Sequence, residues 1–568
     1  MNADKIIKSF IPPVDEKLLL KYDFFTLYPN DGGGGFVMRD ELPSLDDREI
    51  SGFIFEKNGL ADFGNLPELD YHKHAAWKTI ERSCWINRLY WIVPAARTAR
   101  LTGNREWARQ VIDALLYFNR TQTAPQSAAE AREIEKIISS RRDSEYNQGL
   151  FNNPEPVPYQ WYDFQPAARI IHIIYALWFM QSLDCWNDSE AEELIDMIRT
   201  HAQVISWQEE VLPAKPGNHQ ALRGLSMLYA GCFLNDQYFT RQGLNLMTFH
   251  ALNDFSADGL LREVSPQYHC FESWMLRDIC ALSKNYSLEL DERVLTGLKL
   301  AARACKLTTR PDGRAVPVND GCNLDMKNFL ETMPATAEES EHNLLPYNQI
   351  AVWRTGKWYM LFDASNFYGR YSHYHAGKNA FTLWYNNLPF IVDSGCCHYD
   401  WQEFKGYFKR GEAHASMLVD GMGDGWVTGT YNWVHHADCT VTPWQNNRIT
   451  STLTSTVPNW RGVQWQRSLE TAENQLTVSD NITADAEHYY EFTYPLHPAV
   501  KVNIDGNKIV LSNEGVSLEL TLESNSQFTA SLAPALWCDN VEVIESRMLR
   551  IQLHNSNALV TTVIKPLQ

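Results

Sequence analysis

The feature that most constrains the fold is a change of texture near residue 345. From about residue 75 to about 335, apolar residues recur at i, i+3, i+4 and i+7, the spacing of amphipathic helices. WKTIERSCWINRLYWIVPAARTARL, REWARQVIDALLYFNR, PAARIIHIIYALWFMQSL, SEAEELIDMIRTHAQVIS, HQALRGLSMLYAGCFL, FTRQGLNLMTFHALNDF, FESWMLRDICALSKNY and RVLTGLKLAARACKL all carry it. Loops rich in Pro, Gly and Asn separate these segments, so helical hairpins packed side by side are expected. No fixed-length repeat points to a solenoid. Beyond residue 345 the segments become short, aromatic or β-branched, and often alternating, as in NQIAVWRTGKWYMLFDAS, NAFTLWYNNLPFIVDSG and LRIQLHNSNALVTTVIK. Gly, Asn and Asp punctuate them as turns. The expected organisation is a helical part over 1–340 and an antiparallel β-sandwich over 341–568.

A chain of 568 residues is too long for one ordinary core, which agrees with two domains. The 19 Trp, 25 Tyr and 25 Phe serve large cores first, but aromatic faces also stack on sugar rings. A net charge of −19 argues against nucleic acid, whose phosphates call for basic patches. It leaves room for a locally basic cleft and an anionic ligand. No apolar run approaches the roughly 20 residues of a membrane helix, so no membrane partner is expected. The first residues, MNADKIIKSFIPPVDEKLLL, lack the apolar core and cleavage site of a secretory signal. The 11 cysteines are irregularly spaced, as reduced thiols are. Both observations favour the cytoplasm, with the periplasm or exterior as the alternative had a signal been removed. A homo-oligomer is compatible with all of this.

Four stretches carry candidate chemistry. KPGNHQALRGLSMLY sets Asn218 and His219 where a loop enters a helix; a cap and a surface histidine would give the same letters. DGLLREVSPQYH runs through Glu263 to Tyr268 and His269 at a helix start, where the dipole favours a phenolate; a buried structural tyrosine is the alternative. RPDGRAVPVNDGCN, residues 310–323, reads as a functional loop or simply a linker. In RYSHYHAGKNAF, His373 and His375 are one residue apart in a strand-like run, which would put both on one face. Asp393 in VDSG and His414 in GEAHASMLVDG follow. Two imidazoles and a carboxylate suit zinc, although their sequence separations make no local metal motif.

Together and in this order, these pieces resemble the heparinase II/III-like polysaccharide lyases, a superfamily that includes alginate-type lyases of the same two-domain build. The match rests on Asn218–His219, residues 258–269, residues 311–321, His373–Tyr374–His375, Val392–Gly395, and Ala413–His414 with Asp420–Gly421. The resemblance implies an N-terminal incomplete (α/α) toroid followed by a β-sandwich, with the cleft between them. It implies that His375, Asp393 and His414 hold one divalent metal ion, usually zinc, and that His373 faces the cleft. HYHAGKN departs from the HADH-like continuation of some relatives, which bears on subsite details.

The implied reaction is β-elimination at a 4-O-linked uronic acid, with glycosaminoglycans (heparan, chondroitin, hyaluronan) ahead of alginate. Asn218 and His219 would neutralise the uronate carboxylate. Tyr268 alone, or His373 as base with Tyr268 as acid, would move the protons. Arg169 and Arg370 are candidate charge partners for the anionic sugar, and Glu263 is counted with them on the substrate side. A glycoside hydrolase would need two facing carboxylic acids. Glu263 has no evident partner for that role. A non-catalytic carbohydrate-binding protein would not need Asn218, His219, Tyr268 and His373 together.

Overall fold

The computed structural model describes residues 3–21, 64–72, 86–148, 159–210, 213–321, 324, 326–366, 373–396, 406–428, 433–538 and 543–567. The helical expectation is met: helices span Ile92–Thr102, Arg105–Thr121, Gln165–Met180, Asp188–Glu209, Asn218–Leu234, Gln237–Asn253, Pro266–Asn285 and Glu292–Leu307. The part of WKTIERSCWINRLYW before residue 86 lies outside the described residues. A further helix, Ala128–Gln148, carries few apolar residues and had no sequence signal.

Local chemistry explains the ends of these helices. Asn187 caps Asp188–Glu209 in a reciprocal box with Glu190. Ser265 caps Pro266–Asn285, with Pro266 at the first helical position, where its missing N–H costs nothing. Gln165–Met180 is buried along its whole length and Asn218–Leu234 along nearly all of it. They form the centre of the helical layer, as helices apolar on every side must. Gly243 lets Gln237–Asn253 press onto Asn218–Leu234, because a Cβ there would run into the backbone of Leu228.

The C-terminal part is antiparallel throughout. Its spine is the pair Gln475–Leu496 and Val543–Pro566, in register from Leu476↔Ile564 to Leu496↔Arg547 with an irregularity between Thr483 and His488. One end of Gln475–Leu496 pairs with Gln464–Ala472 and the other with Met417–Val419, so one strand serves both layers of the sandwich. Trp353, Trp358, Trp460, Trp465 and Phe492 fill the core between them.

The two parts meet across an apolar seam. Leu260, Val264, Leu307 and Val316 from the helical side pack with Ile350, Tyr359, Trp384 and Trp537 from the sheet. Beside it, the Asp258 carboxylate accepts from the backbone N–H groups of Tyr347 (2.9 Å) and Asn348 (3.1 Å). This clamp fixes the helix carrying Tyr268 relative to the sheet carrying the HYH segment.

Candidate active site

Tyr268 is the third residue of Pro266–Asn285, in its first turn, and its ring stacks on His373 with centroids 3.5 Å apart and planes 20° apart. On its other side, His373 Nδ1 pairs with the Glu263 carboxylate. Glu263 is therefore engaged with His373, whereas the sequence reading had placed it on the substrate side. With Nδ1–H donated to a carboxylate, the ring's Nε2 is left as a proton acceptor. His269, the neighbour of Tyr268, is structural. Its ring is fully buried, bonds the Ala301 carbonyl at 3.0 Å and accepts from Leu261 N–H at 3.2 Å. Burial pushes its pKa down to about 4.

Asn218 is the first residue of its helix, after Gly217 at the cap position, and no side chain caps that end. Its amide is therefore free of the capping duty that competed with a functional reading. His219 pairs through Nδ1 with Asp163 and keeps its side chain 40% exposed, the most open of the candidate groups among the described residues. Phe164 meets the same ring edge-on at 4.4 Å.

His373–Tyr374–His375 is not strand; the sheet resumes at Ala380–Tyr385. The expectation of two imidazoles on one strand face is corrected, because groups from elsewhere set this backbone. Asp424 accepts from the N–H groups of Gly377 (2.5 Å) and Lys378 (2.7 Å), and Asn319 accepts from His375 N–H at 3.0 Å. The His373 carbonyl accepts from Asp320 N–H at 2.9 Å. The loop that read equally well as a linker is thus the clip between the two parts. Asn319 also donates to the Val264 carbonyl at 2.7 Å, and Ser265 donates to the Asp320 carbonyl at 3.0 Å. Val264 has a positive φ of 52°, which is strained for a β-branched residue, while Asn319 and Asn379 adopt the left-handed backbone that Asn tolerates.

The candidate metal ligands come together only in part. His414 Nδ1 bonds Asp393 at 2.7 Å and its Nε2–H meets the Phe408 carbonyl at 3.1 Å. The His375 ring lies 5.5 Å from that of His414, but its Nε2 bonds Asp320 Oδ1 at 2.6 Å. Cys396 Sγ is 3.4 Å from the same oxygen. Among the described residues, Asp320, His375 and Cys396 are the group whose ligand atoms all lie within 4.8 Å of one another. His375 Nδ1 is buried with no hydrogen-bond partner, and the donors are imidazole, carboxylate and thiol. That orphaned nitrogen and that donor set fit a zinc-class ion. Burial holds His375 well below the usual imidazole range, keeping it neutral as a ligand must be. Burial opposes a charge on His414 too, but the Asp393 carboxylate outweighs it and lifts the pKa. Two buried lysines crowd the same place: Lys378 on Asp363 at 2.9 Å and Lys409 3.6 Å from Asp320.

Arg169 is corrected outright. It is buried at 0% exposure, bonds His201 Nε2 at 2.8 Å, and lies between Phe118 and Trp161, so it holds the helical core and does not reach a ligand. Arg370 lies outside the described residues. Sequence reasoning missed Asp163, Cys396 and Asp424, and it held Asn319 and Asp320 only as part of the 310–323 loop, with no role of their own. Only the NDG turn at 319–321 offered a signal, since Asn and Asp favour turns and left-handed backbone.

Gly377 sits at φ 112°, and a Cβ there would strike the His414 ring. Gly377→Ala is expected to combine backbone strain with overpacking, each about 1–3 kcal/mol. A clear fall in the thermal midpoint checks this; an unchanged midpoint would refute it.

Residues 338–561 match the family described as Heparinase II/III-like, C-terminal. No curated protein matches the sequence. Among solved structures, a heparinase III is similar at 14% identity and TM-score 0.69, over 88% of this chain and 79% of that one. A second heparinase III matches at 14% identity and TM-score 0.65, over 91% and 83%. Heparan sulfate lyase HepC from Pedobacter heparinus matches at 14% identity and TM-score 0.64, over 100% and 87%. At such identities the likeness is one of fold: a helical toroid followed by an antiparallel β-domain.

Proposed function

We propose, on the premise that this is a heparinase II/III-like chain, that it is a carbon–oxygen lyase cleaving uronate-containing glycans by β-elimination, with glycosaminoglycans favoured over alginate. The observation that carries the reading is the Glu263–His373–Tyr268 assembly, a carboxylate-oriented imidazole stacked on a phenol. Asn218 and His219 supply donors for the carboxylate, whose neutralisation makes the C5 proton removable. His373 Nε2 takes that proton, with Glu263 supporting the imidazolium that forms. The Tyr268 hydroxyl gives its proton to the departing O4. A hydrolase reading gains nothing, because Glu263 is tied to His373 and so is not one of two acids facing a scissile bond. Digestion of a panel of uronate polymers and oligosaccharides, followed at 232 nm for the unsaturated product, tests the reading. No absorbance from any of them would sink it.

The ion supported by the donor set is one zinc per chain, held by His375 with Asp320 and Cys396; His414 has its ring nitrogens on Asp393 and the Phe408 carbonyl. When bound it supplies a fixed positive charge that cross-links the loops of the β-domain. Elemental analysis of protein purified without added metal is expected to find about one equivalent, and His375→Ala to lose it together with stability. Metal-free protein with full activity would refute the assignment.

A further inference from the structure

We propose that the buried carboxyls of Glu272 and Asp254 share one proton, and that this hydrogen bond makes Glu272 a positioning residue for Asn218. The inference deepens the lyase reading and rests on its placement of Asn218 at the substrate carboxylate.

Asp254, which follows Gln237–Asn253, joins the two arms of the site. Its Oδ2 takes His250 Nδ1 at 2.7 Å and the Gly217 backbone N–H at 3.4 Å. Gly217 precedes Asn218 and stands at φ 144°, a backbone that residues with a side chain rarely adopt. The Asp254 carbonyl accepts from Arg262 N–H at 3.0 Å, one residue before the Glu263 that pairs with His373. A displaced Asp254 would therefore be felt at Asn218 and at His373.

Glu272 lies one helical turn beyond Tyr268 on Pro266–Asn285, is buried, and meets Asp254 side chain to side chain. Asp254 Oδ1 and Glu272 Oε1 are both buried, and neither takes a hydrogen from any other group among the described residues. Two ionised carboxylates in that contact would repel and leave both oxygens unsatisfied, whereas one proton between them satisfies both. The charges acting on Glu272 are Asp254 and Glu263, both negative. Behind them stand His250 on Asp254 and His373 on Glu263. Burial first, then these two carboxylates, hold the Glu272 carboxyl well above the usual carboxylate range. The protonated acid is a donor, and Asp254 is the group it holds in place.

The shared proton is tested without substrate, by thermal melting of wild type and Glu272→Gln from about pH 5 to about pH 8. A carboxyl whose pKa is higher folded than unfolded binds more protons in the folded state, so its contribution falls as pH rises above the ordinary glutamate value. The amide of Glu272→Gln still donates to Asp254 and does not titrate. The variant's midpoint is expected to rise relative to wild type as pH rises; parallel midpoints would overturn the proposal. The positioning role is read at 232 nm. Glu272→Leu, similar in bulk but unable to donate, should lose kcat/KM by roughly tenfold or more, the scale of one hydrogen bond to a charged group, and Glu272→Gln should recover most of that loss. On an Asn218→Ala background Glu272→Leu should add little, because it acts through that residue. Fully additive losses, or a Glu272→Gln loss as deep as that of Asn218→Ala, would also overturn the proposal. Should Glu272→Leu not fold, the midpoints and rates of Glu272→Gln decide alone. Diverging midpoints with no 232 nm product from wild type would sink the lyase reading and leave the shared proton standing.

Discussion

Tyr268→Phe is expected to reduce turnover by about 100- to 10,000-fold, the range of a general acid–base group, with the fold intact. The substitution removes one oxygen and keeps the ring. The 3.5 Å stack on His373 and the packing of the first helical turn therefore survive. What is lost is the proton for the leaving O4. A sugar alkoxide is a poor leaving group, so its protonation cannot be left to chance. Initial rates at 232 nm, with circular dichroism as the control for folding, measure the effect. Retention of more than about a tenth of wild-type turnover would contradict any acid–base role for the hydroxyl.

His373→Ala then separates two mechanisms. The Glu263 carboxylate on Nδ1 leaves Nε2 as the accepting nitrogen, so a loss as deep as that of Tyr268→Phe is expected. A mild loss would make the tyrosine both base and acid, with His373 reduced to a wall of the pocket. Glu263→Gln sharpens the point: it keeps a hydrogen-bonding partner for the ring and removes the charge that supports the imidazolium.

The sequence made most of the fold legible, and the candidate site less so, for reasons that particular residues display. Helices such as Arg105–Thr121 announce themselves because an apolar stripe and a cap are local properties. Ala128–Gln148 does not, since charged residues dominate it and tertiary packing overrides its weak pattern. Tyr268 could be placed in a first turn from Ser265–Pro266 alone. The HYH segment misled, because its conformation is dictated by Asp424 and Asn319, far away in sequence. Arg169 misled in the opposite way. A cation in an apolar helix reads as functional unless one knows that His201 and two aromatic rings enclose it. Asp163 was invisible for a related reason: an orienting carboxylate has no motif, only a partner.

Removal of the Arg467 guanidinium, as in Arg467→Leu, is expected to cost about 3–5 kcal/mol of stability, the scale for breaking a buried ion pair from one side. Arg467 and Asp480 are both 0% exposed and bond at 2.7 and 3.1 Å, with Trp465 Nε1 donating to the same carboxylate at 2.8 Å. Burial opposes charging this arginine, yet the Asp480 charge outweighs that and lifts its pKa. The remaining donors reach further. Nη1 bonds the carbonyls of Asn379 at 2.8 Å and Ala415 at 2.7 Å. Those residues end the HYHAGKN segment and follow His414, so the arginine ties the sandwich core to both histidine-bearing loops. Arg467→Leu would strand Asp480 without its counter-charge and leave two buried carbonyls without their donor. Denaturant midpoints followed by tryptophan fluorescence are expected to fall accordingly, and lyase activity with them. The double replacement Arg467→Leu with Asp480→Leu should be less destabilised than Arg467→Leu alone, because an absent pair costs less than a broken one. A loss below about 1 kcal/mol in the single variant, within the range of ordinary surface pairs, would show that the sandwich does not depend on this charge.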